Sequence, residues 1–238
     1  MKVIKYVPGV LFVLISMLLS KQSDAQHKTN TWFRIAIDQS FNHRWKTSYE
    51  LHHRRQSSIQ HENPLQSSLL FAVRPWVHYS LNHSIQISAS PLAYYHQFPL
   101  LIKGETPGTQ HINELRSTVG LSVYHPVGKR FSLKERTLWE YRSFDNDVQS
   151  IRSRFKLGIE FKVHPSWYIT LHEETMVNVH HSEKPMHFDQ ERINLNIRKI
   201  MNKHVEVEME WAHIIRNMNN DMHHLKESNL LLHLNFKI

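Results

Sequence analysis

A regular alternation of apolar and polar residues constrains this chain more than any other feature. Residues 205–211 read Val-Glu-Val-Glu-Met-Glu-Trp. On a β-strand the three glutamates share one face and the apolar side chains share the other, whereas a helix would spread them around its axis. Residues 151–163 and 230–238 repeat the pattern. The alternation predicts long strands with one apolar and one polar face.

Segments of this kind recur along the whole chain. Each runs about 10 to 14 residues, whereas strands of soluble proteins usually have about 5–6 residues and membrane-spanning strands need about 9–11. The lengths therefore favour a barrel that crosses a membrane over a soluble sandwich. The predicted strands are 31–41, 45–56, 67–79, 83–95, 112–125, 130–142, 150–163, 167–179, 189–200, 204–216 and 228–238.

The predicted connections alternate between short and long. Short turns are expected at 42–44, 80–82, 126–129, 164–166 and 201–203, and longer polar connections at 57–66, 96–111, 143–149, 180–188 and 217–227. This sorting is typical of outer-membrane barrels, in which the short turns are periplasmic. Aromatic residues beside the short turns predict a girdle at one membrane interface, formed by Phe41, Trp45, Tyr79, Phe131 and Trp167.

The number of strands follows from the count of alternating segments together with the rules for barrels. Eleven segments alternate, but bacterial single-chain barrels have even numbers of strands. We therefore expect an all-β fold, a single antiparallel up-and-down transmembrane barrel of 10–12 strands, with 12 favoured. One domain over 26–238 is predicted, because no linker rich in Pro, Gly or Ser interrupts the rhythm.

The N-terminus has the three parts of a secretory signal peptide. Lys2 and Lys5 precede an apolar stretch at 7–19, and Ser-Asp-Ala at 23–25 offers a cleavage site. The apolar stretch is shorter than the roughly 20 residues of a spanning helix. We therefore predict a cleaved signal peptide at 1–25. The absence of cysteine excludes disulfides, Cys-ligated metals and Cys nucleophiles, and it suits the envelope of a Gram-negative bacterium.

Several motifs together resemble a known family. The first strand carries Trp-Phe-Arg-Ile at 32–35, a charged hairpin includes 133–136 and 141–142, an Arg-x-Arg strand covers 151–157, and 228–238 alternates. This combination is similar to the Gram-negative outer-membrane family labelled domain of unknown function 2490. The resemblance implies an outer-membrane β-barrel without an established activity. As partners, such a barrel would have outer-membrane lipid, lipopolysaccharide and the barrel-assembly machinery.

The polar faces would line the lumen if the apolar faces meet lipid. Two interpretations of their charges stay open: an Arg–Glu lattice that rigidifies the wall, or a narrow channel or binding site for small anionic solutes. The formal net charge of +8 is spread along the chain rather than gathered in one run, so nucleic-acid binding is not predicted. No cofactor is predicted either. The predicted lumen wall contains Arg136, Glu140, Arg142, Arg152, Arg154, Lys156, Glu160, Glu206, Glu208 and Glu210.

Two alternatives to a non-enzymatic barrel are retained. His78 and Ser80 form a His-x-Ser pair on one strand face, which resembles the arrangement of barrel lipid hydrolases and deacylases. The second alternative is a soluble, lipocalin-like carrier in the periplasm. It requires an apolar lumen and a charged outer surface, the reverse of our assignment.

Histidine is unusually abundant, with 20 residues. Imidazole is a common metal ligand, but adjacent histidines on a strand point to opposite faces. We therefore interpret the histidines as polar loop composition and predict no metal. The weak metal-binding alternative uses His180, His181, His187, His223 and His224.

Overall fold

The computed structural model describes residues 27–57, 63–101, 110–183, 185–217 and 224–238, and it forms eleven β-strands there. The predicted signal peptide at 1–25 lies outside these residues. No helix long and apolar enough to cross a membrane occurs in the described ranges. The strands are β1 (His27–Ser40), β2 (Trp45–Gln56), β3 (Ser67–Ser80), β4 (Ile85–Gln97), β5 (Ile112–Val127), β6 (Phe131–Phe144), β7 (Gln149–His164), β8 (Trp167–His181), β9 (His187–Ile200), β10 (Val205–Asn217) and β11 (His224–Lys237).

The strands close into one barrel in chain order. Each strand pairs antiparallel with the next, but β1 and β11 pair parallel, from His27 opposite Lys226 to Asp38 opposite Lys237. The count of eleven lies within the predicted range of 10–12 and is one short of the favoured 12. In an up-and-down barrel with an odd number of strands, the first and last strands run the same way. The predicted antiparallel wall therefore needs correction at this one seam.

Four of the five connections that were predicted to be long are longer than the turns, and they lie at one end of the barrel, opposite the short turns. The end with the short turns, here termed the turn end, carries 41–44, 81–84, 128–130, 165–166 and 201–204. The opposite end, termed the loop end, carries the connections that follow β2, β4, β6, β8 and β10. The connection after β6 was predicted to be long, but it spans only 145–148 and is no longer than the turns, because β6 and β7 extend further than predicted.

Three of the short turns are stabilised by the same kind of asparagine hydrogen bonds. The side-chain oxygens of Asn42, Asn82 and Asn202 each accept the backbone N–H groups of the second and third residues that follow. Such Asx turns replace a missing backbone partner with a side chain from the turn itself. The asparagines therefore fix where these hairpins reverse.

The outer surface is apolar and the inner surface is charged. On β7, Phe155, Leu157 and Ile159 are between 43% and 46% exposed. Glu160, which follows Ile159 and points to the opposite face, is 4% exposed. Charged side chains thus face inward although a soluble protein would expose them. The soluble-carrier alternative is wrong on this point, because it required an apolar lumen.

The predicted aromatic girdle lies at the turn end. Phe41, Trp45, Phe131 and Trp167 are exposed on the outer face. The ring of Trp45 contacts that of Tyr79, with the centroids 4.7 Å apart. Aromatic side chains in this position are typical of the boundary between lipid and water.

Three glutamates interrupt the apolar outer surface. Glu135 and Glu173 are exposed, and Glu191 is partly exposed. They alternate with inward-facing neighbours on β6, β8 and β9. These carboxylates therefore lie outside the lumen.

Candidate functional site: the charged lumen

The lumen contains all ten side chains that the sequence predicted there. Each alternates along its strand with outward-facing residues, and each either forms ion pairs inside the barrel or lines one of its cavities. Period-two alternation was sufficient to place them, because it fixes the face of every residue once one residue is fixed.

Glu140 on β6 is the most heavily paired carboxylate. Its side chain is 1% exposed, and it accepts from three guanidinium groups. Arg116 and Arg154 contact Oε1 at 3.2 and 2.9 Å, and Arg152 contacts Oε2 at 2.6 Å. The three arginines come from the two neighbouring strands, β5 and β7. Glu140 therefore ties three strands together from the inside.

Further carboxylates extend this cluster. Glu114 accepts from Arg116 and Arg142, each at 2.7 Å, Glu174 accepts from Arg154 at 2.6 Å, and Asp189 accepts from Arg152 at 2.8 Å. Charge-assisted bonds of this kind are short and directional. The set is termed the lattice: Glu114, Glu140, Glu174, Asp189, Arg116, Arg142, Arg152 and Arg154.

Toward the turn end, asparagine side chains donate hydrogen bonds to the lumen carboxylates. Asn196 donates to Glu208 at 3.1 Å and to Glu210 at 3.3 Å, and Asn194 also donates to Glu210. Asn235 donates to Glu208 at 2.9 Å. Sequence reasoning missed these amides, although Asn194 and Asn196 alternate in phase with the predicted charged positions.

The remaining predicted carboxylates bind cations at the turn end. Glu160 accepts from Lys134 at 2.6 Å and from Arg198 at 3.0 Å, and Glu206 pairs with Arg198 and Lys237. Glu160 and Glu206 at the turn end of the lumen are thus neutralised by cations of the barrel itself.

Three lumen-facing cations have a different environment. Within the described ranges, Arg54, Arg136 and Lys156 form no ion pair and no side-chain hydrogen bond. The Arg54 guanidinium lies 3.8 Å from the centroid of the Trp32 ring, and that of Arg136 lies 5.2 Å from a ring centroid of Trp76. Lys156 is the cross-strand neighbour of Arg136. These three side chains are termed the unpaired cations.

Two cavities occupy the lumen. The turn-end cavity has a volume of about 510 Å³, and the loop-half cavity has a volume of about 330 Å³. Both are lined by Arg136, Lys156, Glu208 and Glu210, which therefore lie where the cavities meet. This junction is termed the waist.

The loop end of the lumen is narrowed by the start of the β4–β5 connection. Gln56 is 1% exposed and donates to the carbonyl of Pro99 at 2.8 Å, while its side-chain oxygen accepts from the N–H of Leu101 at 3.1 Å. The Lys28 ammonium donates to the carbonyl of Leu101 at 2.6 Å. Residues 98–101 are therefore held against the inside of the wall.

The His-x-Ser pair is not joined in the structure. The ring Nδ1 of His78 bonds the hydroxyl of Ser88 on β4 at 2.8 Å, and no hydrogen bond links His78 to Ser80 in the described part of the chain. Ser88 is 2% exposed, and Ser80 lines the turn-end cavity. Residues directly opposite each other on paired strands lie closer than residues two apart on one strand, so β-pairing decides the partner of this histidine.

The loop histidines do not form a metal centre in the described part. The rings of His181 and His187 are 5.8 Å apart, but His187 bonds Asn178 and the carbonyl of Pro185. His180 is exposed, and His223 together with the side chain of His224 lies outside the described residues. No group of three or more His, Cys, Asp or Glu side chains that could hold a metal occurs in the described ranges.

Comparisons with known proteins give a family and distant structural relatives. The model of a family described as protein of unknown function (DUF2490) matches residues 29–224. No curated protein matches the chain.

Among solved structures, the chain is similar to in-vitro folded OmpT, an outer membrane protein of Vibrio cholerae, with 7% identity and a TM-score of 0.40 over 76% of this chain and 59% of that one. It is also similar to an anion-selective porin from Comamonas acidovorans, with 12% identity and a TM-score of 0.35 over 77% of this chain and 51% of that one. A third is the siderophore receptor PirA from Acinetobacter baumannii, with 12% identity and a TM-score of 0.35 over 76% of this chain and 32% of that one. The chain thus spans less than two thirds of the length of each.

Proposed function

The chain belongs to the DUF2490 family of proteins of unknown function, and from its lumen we propose that it is a non-enzymatic outer-membrane β-barrel with a narrow, anion-preferring channel. The proposal has two parts, the location of the barrel and the selectivity of its lumen. Each is supported by different residues and is tested separately.

The outer surface supports the location. Strands of 12 to 16 residues exceed the roughly 9–11 residues that a spanning strand needs. Large apolar side chains are exposed all around the wall, and an arrangement of this kind is stable only if it is covered by lipid or protein. A surrounding lipid bilayer would cover these apolar side chains on every strand of the barrel.

Membrane fractionation followed by gel migration of unheated and boiled samples tests the location. We expect the protein in the outer-membrane fraction, with a faster-migrating form that disappears on boiling. Recovery as soluble protein with one migration position would contradict the proposal.

The observation that carries the selectivity is the excess of cations around the loop-half cavity. Its lining contains eleven arginine and lysine side chains and three glutamates. Five more carboxylates pair with these arginines from outside the lining and reduce the excess without removing it: Glu50, Glu114, Glu140, Asp189 and Glu227.

Of the unpaired cations, Arg54 lies in the loop-half cavity, while Arg136 and Lys156 lie at the waist, where Glu208 and Glu210 offset their charge. A charge in a confined, poorly solvated lumen interacts over a longer range than in bulk water. An anion that moves between the cavities passes these two cations and these two carboxylates, so the preference for anions arises from the excess of cations in the loop-half cavity as a whole. The lattice arginines contribute less to this field, because carboxylates neutralise them.

The reversal potential of single channels in a KCl gradient tests the selectivity. We expect wild-type channels to prefer chloride, and the double variant Arg136→Met/Lys156→Met to lose most of this preference. Lys199→Met is the control, since Lys199 alternates with inward-facing residues, its ammonium lies over the Trp167 ring, and its removal should leave the reversal potential unchanged. Absence of conductance, or a preference for potassium in wild type, would contradict the proposal.

A further inference from the structure

The loop-half cavity combines cations with apolar side chains. Trp32 is 5% exposed and packs with Ala212, Ile214 and Leu231. The guanidinium groups of two arginines approach its ring, Arg54 at 3.8 Å and Arg192 at 5.4 Å from the centroid. The indole ring of Trp32 therefore forms part of the cavity wall, and the positive charges of Arg54 and Arg192 lie close to it.

A second apolar cluster lies on the β3–β4 side. It consists of Leu70, Ala72, Ala93 and Tyr95. Leu70 is the cross-strand neighbour of Arg54, as Trp32 is on the other side, so the guanidinium is flanked by apolar residues on both neighbouring strands. Neither flank offers Arg54 a counterion.

The two arginines are incompletely partnered, since Arg54 has no ion pair in the described ranges and Arg192 has a long one with Glu174. The Nε of Arg54 and the Nε of Arg192 are buried without a hydrogen-bond acceptor. The nearest carboxylate of Arg192 is Glu174 at 3.6 Å, and this carboxylate is engaged by Arg154 at 2.6 Å. A buried charge that lacks a partner is costly, so an anion that reaches it gains more than it would in water.

The volume and the apolar lining of the loop-half cavity indicate which class of anion it can bind. The volume of about 330 Å³ lies near the lower end of ligand pockets, which span about 300–1,000 Å³. Inorganic anions would engage the arginines but leave the apolar lining in contact with water. The apolar part of the lining consists of Trp32, Phe33, Leu69, Leu70, Phe98, Leu100, Leu138 and Leu231.

We propose that the loop-half cavity binds a small organic carboxylate with an apolar body of about the size of a phenyl group. Its carboxylate meets Arg54 and Arg192, and a planar guanidinium binds a carboxylate through two parallel bonds. Its apolar body packs on Trp32 and Leu70. The proposal rests on the proposed anion-attracting lumen and adds the chemical class of the ligand.

Binding of three probes to the purified, refolded barrel tests the proposal by titration calorimetry. The probes are 3-phenylpropionate, propionate and inorganic phosphate. We expect 3-phenylpropionate to bind about tenfold or more tightly than either of the others, because only it uses both the cations and the apolar lining. Equal affinities for the three probes would overturn the proposal.

Variants separate the two halves of the site. Arg54→Met should weaken 3-phenylpropionate binding about tenfold or more, since it removes the bidentate partner, and Arg54→Lys should give an intermediate loss. Leu70→Ser should reduce the preference for 3-phenylpropionate over propionate. The control is Lys46→Met, because Lys46 pairs with Asp38 near the turn end. Unchanged binding in Arg54→Met would overturn the proposal.

Heat-dependent gel migration confirms that each variant has closed into a barrel before its binding is measured. Channel recordings then distinguish the two proposals. Chloride-selective channels that show no preference among the probes would contradict the ligand class alone. Tight binding of 3-phenylpropionate to a barrel that does not conduct would contradict the channel alone.

Discussion

Two groups of arginines face the same lumen in opposite situations. The lattice arginines on β5, β6 and β7 each contact at least one carboxylate, whereas Arg54 on β2 and Arg136 on β6 lie against tryptophan rings without one. Arg136 and Arg142 even share a strand. The residue type therefore does not determine the role; the partner on the neighbouring strand does.

The difference has consequences for stability and for function. A buried ion pair adds little stability over an apolar pair, but removing one partner leaves an uncompensated buried charge. Lattice residues should therefore be sensitive to substitution. The unpaired cations have no partner to lose, and their charge is available to a solute. Substitutions in the two groups test this division.

Breaking the lattice at its centre should have the largest effect. Glu140→Gln keeps the shape of the side chain but removes the charge that three arginines share. We expect the free energy of unfolding to fall by about 3–5 kcal/mol, because three buried cations lose their common carboxylate. Denaturant unfolding of the barrel in lipid vesicles measures the change.

Glu135→Gln is the matched control for this prediction, since Glu135 is exposed on the outer face of the same strand. It should not destabilise the barrel. Equal losses in the two variants would show that the lattice has no special structural role.

The same substitution in the two groups should give different results. Arg116→Met deprives Glu114 and Glu140 of one donor each, and we expect a loss of about 1–3 kcal/mol in the free energy of unfolding. Arg54→Met deprives no carboxylate and removes a buried charge that lacks a counterion, so its stability should equal or exceed that of wild type. Unfolding curves recorded side by side provide the comparison, and a greater loss in Arg54→Met would reverse the assignment of the two groups.

Removing the charge of a carboxylate on the outer surface should have a small effect of the opposite sign. Glu173 is exposed opposite Leu157 and Ile193 of the neighbouring strands, and its side chain shares a hydrogen bond with that of Glu191. Charged residues on the lipid face of a barrel are destabilising, and acidic ones cost less than the roughly 2–4 kcal/mol of basic ones. Glu173→Gln should therefore raise the free energy of unfolding in vesicles by up to about 1 kcal/mol. A loss of stability would indicate a cationic partner for Glu173 that the barrel itself does not supply.

The sequence predicted the wall of this barrel better than its interior. Alternation placed all eleven strands, with ends displaced by up to four residues, and it assigned every charged position of β7 to the correct face. The parallel seam between β1 and β11 was not foreseen, because the rule of even strand numbers assumes antiparallel closure. Closure depends on contacts between residues at the two ends of the chain, and local periodicity carries no information about them.

Partners inside the lumen depend on the stagger of the strands. Alternation shows that Arg54 and Arg116 face inward, but it does not show that the first meets Trp32 and the second meets Glu140. The pairing of His78 with Ser88 rather than Ser80 has the same origin. A one-residue change of register would exchange the faces, and a two-residue change would exchange these partners.

A crystal grown in sodium bromide offers the most direct test of the central claim, that cations without carboxylates are the anion sites of the lumen. Anomalous scattering locates bromide without any assumption about the ligand. We predict bromide beside Arg136 and Lys156 at the waist and beside Arg54 in the loop-half cavity, with none among the lattice arginines around Glu140. Bromide bound within the lattice, or a lumen without bromide, would contradict the account.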